Sequence, residues 1–331
     1  MITKYLANEN VIGSTCVESL DGGLILMYSS LNERRFLKSF DNFRTVADEW
    51  SVPADGITAS ANLLRLNDGK LAMPLIDFSK DPTIARNLGA GFIWTVSEDD
   101  GRTFTQKVRI TPKDACYYVM NDRIFRTHTG RILLPCCYVP REQLGEGHFE
   151  HAGLAGCFYS DDEGKTWQEG EWLAPTDADQ LAEPMLMQGE DGVIHMYART
   201  GVGYLYRSRS LDDGVSFEPS VASCLRSPCA PYCVGYDKYT KKYFAVWDNS
   251  FPSPIHQYPR CPICLAVSDD AVDWKLLLEL DKDPSHSYGY PMIHFDRQEI
   301  LITYYESPIR EFIKEQHKLK MKLIDRAELN I

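Results

Sequence analysis

Hydrophobic and polar positions along this chain recur as two apolar or alternating runs flanking a short polar turn. The pattern appears at CVESLDGGLILMY from Cys16, NLLRLNDGKLAMPLI from Asn62, RIFRTHTGRILLPCCY from Arg123, PMLMQGEDGVIHMYA from Pro184, VGYDKYTKKYFAVW from Val234 and PMIHFDRQEILITYY from Pro291. Four of the six turns carry Asp-Gly or Thr-Gly. Runs of this kind around such a turn predict a β-hairpin, so the sequence predicts six of them.

A second series runs out of phase with the first: SFDNFRTV from Ser39, SEDDGRTF from Ser97, SDDEGKTW from Ser160, SLDDGVSF from Ser210 and the worn SDDAVDW from Ser268, spaced 50 to 63 residues apart. Ser and Asp accept hydrogen bonds from turn amides, Gly takes the positive-φ position, and the closing aromatic turns inward. Each box is therefore a staple between two strands, and its aspartates are structural. Hairpin, third strand, box and fourth strand make one four-stranded antiparallel unit. Six units at a regular period predict an all-β, six-bladed β-propeller. The sixth unit lacks a box, but HKLKMKLID near the C-terminus and MITKYLA at the N-terminus are strands without other partners, so the two ends are expected to close one blade. No linker interrupts the period, which favours a single domain over residues 1–331.

A net charge of −12 argues against nucleic acid or an anionic membrane as partner. No stretch has the length of a membrane span and MITKYLANEN lacks a signal-peptide pattern, so a cytoplasmic location is the expectation. The acidic boxes do not match a calcium loop, and Cys261 and Cys264 in CPIC lack the second Cys pair of a zinc ribbon. No metal and no cofactor is expected, and the 10 cysteines read as free thiols. His148 and His151 in GHFEH read as loop residues.

Turn order locates the chemistry. The hairpin turns and the boxes share one end of the propeller, so function is expected at the other, where first strands begin and second strands end. Tyr28, Ser30, Ser60, Asp77, Asn121, Asp122, Arg123, Glu183, Arg199, Asp248, Asn249, Tyr288, Tyr290 and Glu306 are delivered there, beside long connections at 77–91, 138–153 and 248–262. Ionisable and aromatic groups gathered around a central funnel suit a polar ligand.

The boxes, the spacing of Glu183 in AEPMLM to Arg199 in MYART across one hairpin, and Tyr288 in SYGYPMI facing ITYYES together resemble the sialidase superfamily of exo-glycosidases over essentially the whole chain. The sequence also resembles the Asp-box proteins with YVMNDR and SPxxP signatures close to that superfamily. The resemblance implies a carbohydrate substrate, with Tyr288 as nucleophile, Glu183 as its base and Arg199 as one of three arginines that hold a substrate carboxylate. A tyrosine is unreactive at neutral pH unless a carboxylate takes its proton, and a neutral nucleophile is not repelled by an anionic sugar.

Departures from the family pattern are equally specific. The early Arg-Ile-Pro is replaced by NVIGSTCVES, the fifth blade opens with SPCAPYCVGY where an arginine is expected, and only Glu33 stands where the family holds an aspartic acid before the first box. Asp122 is the candidate general acid, and Arg123, Asn121, Asp77, Asp248 and Tyr290 complete the candidate substrate contacts. Three functions fit: an exo-glycosidase for a terminal, anionic or other sugar, a lyase acting on uronic-acid polysaccharides, and a non-catalytic carbohydrate-binding propeller.

Overall fold

The structure, a computed structural model, describes residues 1–8, 11–30, 33–53, 61–76, 91–112, 116–139, 153–251, 260–309, 317–329 and 331. Six antiparallel sheets follow one another along the chain. The first is built from Gly13–Glu18, Leu24–Ser29, Glu33–Ser39 and Asp48–Pro53, and the second from Leu64–Arg65, Leu71–Ile76, Phe92–Ser97 and Gln106–Arg109. The fourth contains Ala182–Gln188, Ile194–Arg199, Tyr204–Ser210 and Val221–Arg226, and the fifth Cys233–Asp237, Lys242–Asp248, Ile263–Ser268 and Lys275–Asp281. In the third, the innermost strand is broken into Cys116–Tyr118 and Phe125–Arg126, both paired with Ile132–Val139, before Leu154–Ser160 and Gln168–Glu169. The sixth runs from His286–Phe295 through Glu299–Pro308 and Lys318–Asp325 to the N-terminal Ile2–Ala7. This is the expected six-bladed propeller, with both termini in one sheet.

Inner strands pack side by side between the first and second, fourth and fifth, fifth and sixth, and sixth and first blades, while the third blade meets the inner strand of the fourth through Ile132–Val139. Apolar side chains fill the wedges between blades: Trp94, Phe92, Tyr117, Ile132 and Phe158 between the second and third, and Phe244, Ile263, Tyr288, Ile302 and Tyr304 between the fifth and sixth. A sheet two-sided in this way needs apolar residues on both faces, which explains the unbroken apolar run 263–267 in the strand Ile263–Ser268.

Four of the five boxes repeat one hydrogen-bond network, and the shorter fifth keeps only its Ser268–Asp270 part, Asp270 accepting from Val272 N and Asp273 N. In the third, Ser160 Oγ donates to Asp162 and accepts from Gly164 N, while Asp162 accepts from Thr166 N at 2.9 Å and from Thr166 Oγ1 at 2.7 Å. Gly164 sits at φ +81°, against the Trp94 indole of the preceding blade, where a Cβ would have no room. In the first box Phe43 occupies that position at φ +61° and buries its ring instead. Four of the boxes also reach the hairpin of the preceding blade: Asn42 and Arg44 bond Glu299, Asp100 accepts from Leu20 N, Glu163 bonds Asn67, and Asp213 accepts from Thr129. Boxes and hairpins thus share one end of the molecule, as turn order requires. All ten cysteines are free thiols. Among the described residues no helix is long and apolar enough to cross a membrane.

Candidate active site on the propeller axis

Away from the hairpins, the axis carries a cluster of buried charged and phenolic groups. Glu183 is the second residue of the inner strand of the fourth blade, directly after Ala182, which pairs with Arg199 across the hairpin. Strand register skips between Ala182 and Met185, and Glu183 takes φ +50°. That bulge aims its carboxylate at the Arg199 guanidinium, whose Nη1 donates to Glu183 Oε1 at 3.0 Å. Both side chains are nine-tenths buried. Glu183 Oε2 has no hydrogen-bond partner among the described residues.

Opposite stands Tyr290. Its hydroxyl lies 3.4 Å from Glu183 Oε1 and donates to it. The inner strand of the sixth blade also skips register, between Gly289 and Met292, and Tyr290 takes φ +48°. Residues 288 and 290 would share a face on a regular strand; the bulge separates them. Tyr290 turns to the axis, whereas Tyr288 stays in the wedge between the fifth and sixth blades, edge-on to Tyr304 at 5.9 Å. The Tyr288 ring is fully buried and its hydroxyl has no partner among the described residues. The tyrosine beside Glu183 is therefore Tyr290, two residues beyond the one the family resemblance pointed to. Burial, followed by the Glu183 charge, pushes the Tyr290 phenol well above the usual tyrosine range, so it is protonated at rest.

Arg260 enters the cluster from the segment before the third strand of the fifth blade. Its guanidinium donates to Tyr305 Oη at 2.5 Å, and the Tyr305 ring lies 5.9 Å from that of Tyr290. Sequence reasoning missed Arg260 because it lies inside a 248–262 connection with no periodic pattern to place it. Asp248 closes the second strand of the fifth blade and is fully buried. Neither of its carboxyl oxygens has a partner among the described residues. Burial raises its pKa well above the carboxylate range, against the pull of the Arg260 and Arg199 charges. Cys229, at φ +58°, places its sulfur 3.3 Å from Arg199 Nε.

Three other expected site residues lie together, but not in this cluster. Asn121, Asp122 and Arg123 occupy the gap between the two halves of the broken inner strand and cross the axis. Asn121 Nδ2 donates to the carbonyls of Ser14, Tyr290 and Pro291; Asp122 N donates to Ala61 O; Arg123 donates to Asn121 O and Tyr232 O, and its guanidinium meets Met185 sulfur and the Tyr232 ring. This one segment of the third blade touches all five others. Asp122 accepts from Thr15 at 2.7 Å and lines an axial cavity of about 240 Å³ walled by Gln188, Tyr236 and Phe295, residues that lead into the hairpins. Asp122 is thus on the hairpin side of the hub and not beside Glu183, because φ +56° turns its side chain that way. The expectation that it is the general acid of the Glu183 site is corrected accordingly. Asp77 and Ser60, like His148 and His151, lie outside the described residues.

Residues 78–302 match the family of BNR repeat-like domains. The chain belongs to that family. Its fold is that of the sialidase propellers. A Hadza microbial sialidase superposes with a TM-score of 0.72 at 15% identity, over 98% of this chain and 67% of that one. The intramolecular trans-sialidase of Ruminococcus gnavus, in complex with oseltamivir carboxylate, gives 0.69 at 12% identity, covering 99% and 98%. A protein of unknown function from Dyadobacter fermentans gives 0.69 at 14%, covering 98% and 99%. Among curated proteins none matches. Identities this low speak for the shared propeller, and the chemistry has to be argued from the cluster itself.

Proposed function

We propose that this propeller is a retaining exo-glycosidase that removes a terminal sugar carrying an anionic group, with Tyr290 as nucleophile and Glu183 as its base. One observation carries the reading: the phenol of Tyr290 faces a buried carboxylate that Arg199 holds in place. The 3.4 Å separation is at the loose end of hydrogen bonding, as expected for a catalytic contact without ligand. In the first step a bond forms between Tyr290 Oη and the anomeric carbon while the glycosidic C–O bond breaks, and the phenolic proton passes to Glu183. Because burial keeps the phenol protonated, this transfer has to accompany the attack. Arg260 and Arg199 supply the positive charge that an anionic sugar requires. Water then cleaves the aryl glycoside, and Glu183 returns the proton to Tyr290.

The leaving oxygen also needs a proton, and Asp248 is the carboxyl of the cluster that burial keeps protonated. In this reading it donates that proton and, as a carboxylate stabilised by the two arginines, accepts one from water in the second step. Asp248→Asn is expected to lose activity on alkyl glycosides while keeping much of it on aryl glycosides whose leaving groups need no acid. Equal loss on both classes would remove Asp248 from this role.

A panel of aryl glycosides of sialic acid, uronic acids and neutral sugars tests the function itself. Release of the phenol with a reducing sugar supports it; an ultraviolet-absorbing unsaturated product marks a lyase, and binding without turnover marks a lectin.

A further inference from the structure

Two residues of the proposed reaction, Glu183 and Tyr290, sit in left-handed backbone conformations at φ +50° and +48°. Neither is a glycine, and a bulky residue held there is strained. Such strain persists only where neighbours overdetermine it, and here the neighbours are specific. The carbonyl of Glu183 accepts from Tyr232 Oη at 3.0 Å, and that same hydroxyl also reaches Tyr197 O. The carbonyls of Tyr290 and Pro291 accept from Asn121 Nδ2 at 3.3 and 3.2 Å.

We infer that Asn121 and Tyr232 are positioning residues, joined through Arg123 into one axial hub that holds Tyr290 and Glu183 in the conformations that bring phenol to carboxylate. The inference rests on the reaction proposed above. Arg123 is the connection: its Nη1 donates to Asn121 O at 2.9 Å, its Nη2 to Tyr232 O at 3.2 Å, and its guanidinium lies 5.4 Å from the Tyr232 ring centre. The hub is itself fixed from the second blade, where Asn62 Oδ1 accepts from the backbone of Arg123 and Ile124 and Asn62 Nδ2 donates to Met120 O. Its fit is close on the first blade too, since a Cβ on Gly13 would fall 2.7 Å from Asn121 Cβ. Asn121, Arg123 and Tyr232 are all 1% exposed or less and reach neither Glu183 Oε1 nor Tyr290 Oη in any hydrogen bond. They act through the backbone of the reacting residues.

The test compares Asn121→Asp, which keeps the shape and removes the amide donor, with Tyr232→Phe, which removes one oxygen and keeps the ring. Each is read by crystal structure and by steady-state kinetics on the aryl glycoside the wild type hydrolyses. A misplaced reacting pair is expected to lower kcat on the order of 10- to 100-fold with KM within about twofold. In the crystals the Tyr290 hydroxyl should leave hydrogen-bond reach of Glu183 while all six blades stay. A variant that loses thermal stability but keeps wild-type kcat, with Tyr290 still on Glu183, would overturn the inference and leave the hub a structural plug. If the wild type hydrolyses none of the glycosides, the proposed reaction fails. The crystal structures then decide positioning by themselves, a displaced Tyr290 supporting it and an undisplaced one refuting it. Should Asn121→Asp not fold, Tyr232→Phe carries the same decision.

Discussion

Among the described residues Asp122 has one hydrogen-bond donor, Thr15, and it lines a cavity walled by Met185, Val234, Ile293 and Phe295. Burial pushes its carboxyl up to about 6. The folded protein therefore binds this proton more tightly than the unfolded chain. Between the ordinary carboxyl pKa near 4 and the folded value, the native state holds more proton, so stability falls as pH rises through that window. Replacing Asp122 with Asn removes the penalty, keeps an acceptor for Thr15 and suits the positive φ. Thermal melting should show Asp122→Asn more stable than wild type by about 2 °C or more at pH 7.5, with the gap closing towards pH 4. A gap that stays constant across that range would show the carboxyl is not the cause. The sequence placed this residue at the end away from the hairpins and was silent on the positive φ that turns it the other way. It was also silent on Tyr288 against Tyr290: both stand in SYGYPMI, alternation puts them on one face, and only a bulge that no residue pattern announces separates them. Glu183, Arg199, Tyr290 and Asp248 were legible because strand ends can be counted from the turns.

At the scale of the element, the boxes are where sequence and structure agree most closely, since the bonds that shape the turn are local. Ser, Asp, Gly and Thr within seven residues are sufficient to specify the turn. Asp162 accepts three hydrogen bonds, one of them from a backbone amide. Those bonds to the ionised form hold its carboxyl below the usual range despite some burial. Asp162→Ala should cost about 1–2 kcal/mol in denaturant unfolding while leaving kcat unchanged, because the box lies at the far end from Glu183. That stability is present above the ordinary Asp pKa and lost as pH falls through the lower folded value. A loss of activity at full stability would contradict the assignment of ends. The broken inner strand of the third blade was not legible, because the hairpin pattern begins only at Arg123 and nothing before it marks Cys116–Tyr118 as the other half of the same strand. Its interruption depends on the five blades around it, which no local pattern encodes.

The whole molecule depends on how its ring is closed. Ile2–Ala7 supplies the outer strand of the sixth blade, and behind it Lys320 bridges Asp281 at 2.7 Å and Glu306 at 2.9 Å, with Tyr5 on Glu306 and Tyr304 on Asp281. The N-terminal strand, the C-terminal strand and the fifth blade are thereby joined by charge as well as by backbone. Deleting residues 1–7 leaves the 318–325 strand with an open edge and Glu306 without its Tyr5 partner. The shortened chain is expected to melt earlier and to elute from size exclusion as larger species than the full chain. Unchanged melting and mass would show that closure needs no N-terminal strand. Ring closure was legible in sequence from two strands without partners, and the sixfold count from the period.

The central claim is that Tyr290, with Glu183 as its base, forms a covalent bond to a sugar. A glycosyl fluoride with a second fluorine beside the anomeric carbon measures it most directly, since that fluorine slows both steps while fluoride leaves readily, and the intermediate accumulates. Mass spectrometry of the digested protein should then find the sugar's mass on the peptide containing residues 286–295, at Tyr290, with no adduct in Tyr290→Phe and an undiminished one in Tyr288→Phe. An adduct on Tyr288 or any other residue, or a Tyr290→Phe protein that still turns over its glycoside, would contradict the account.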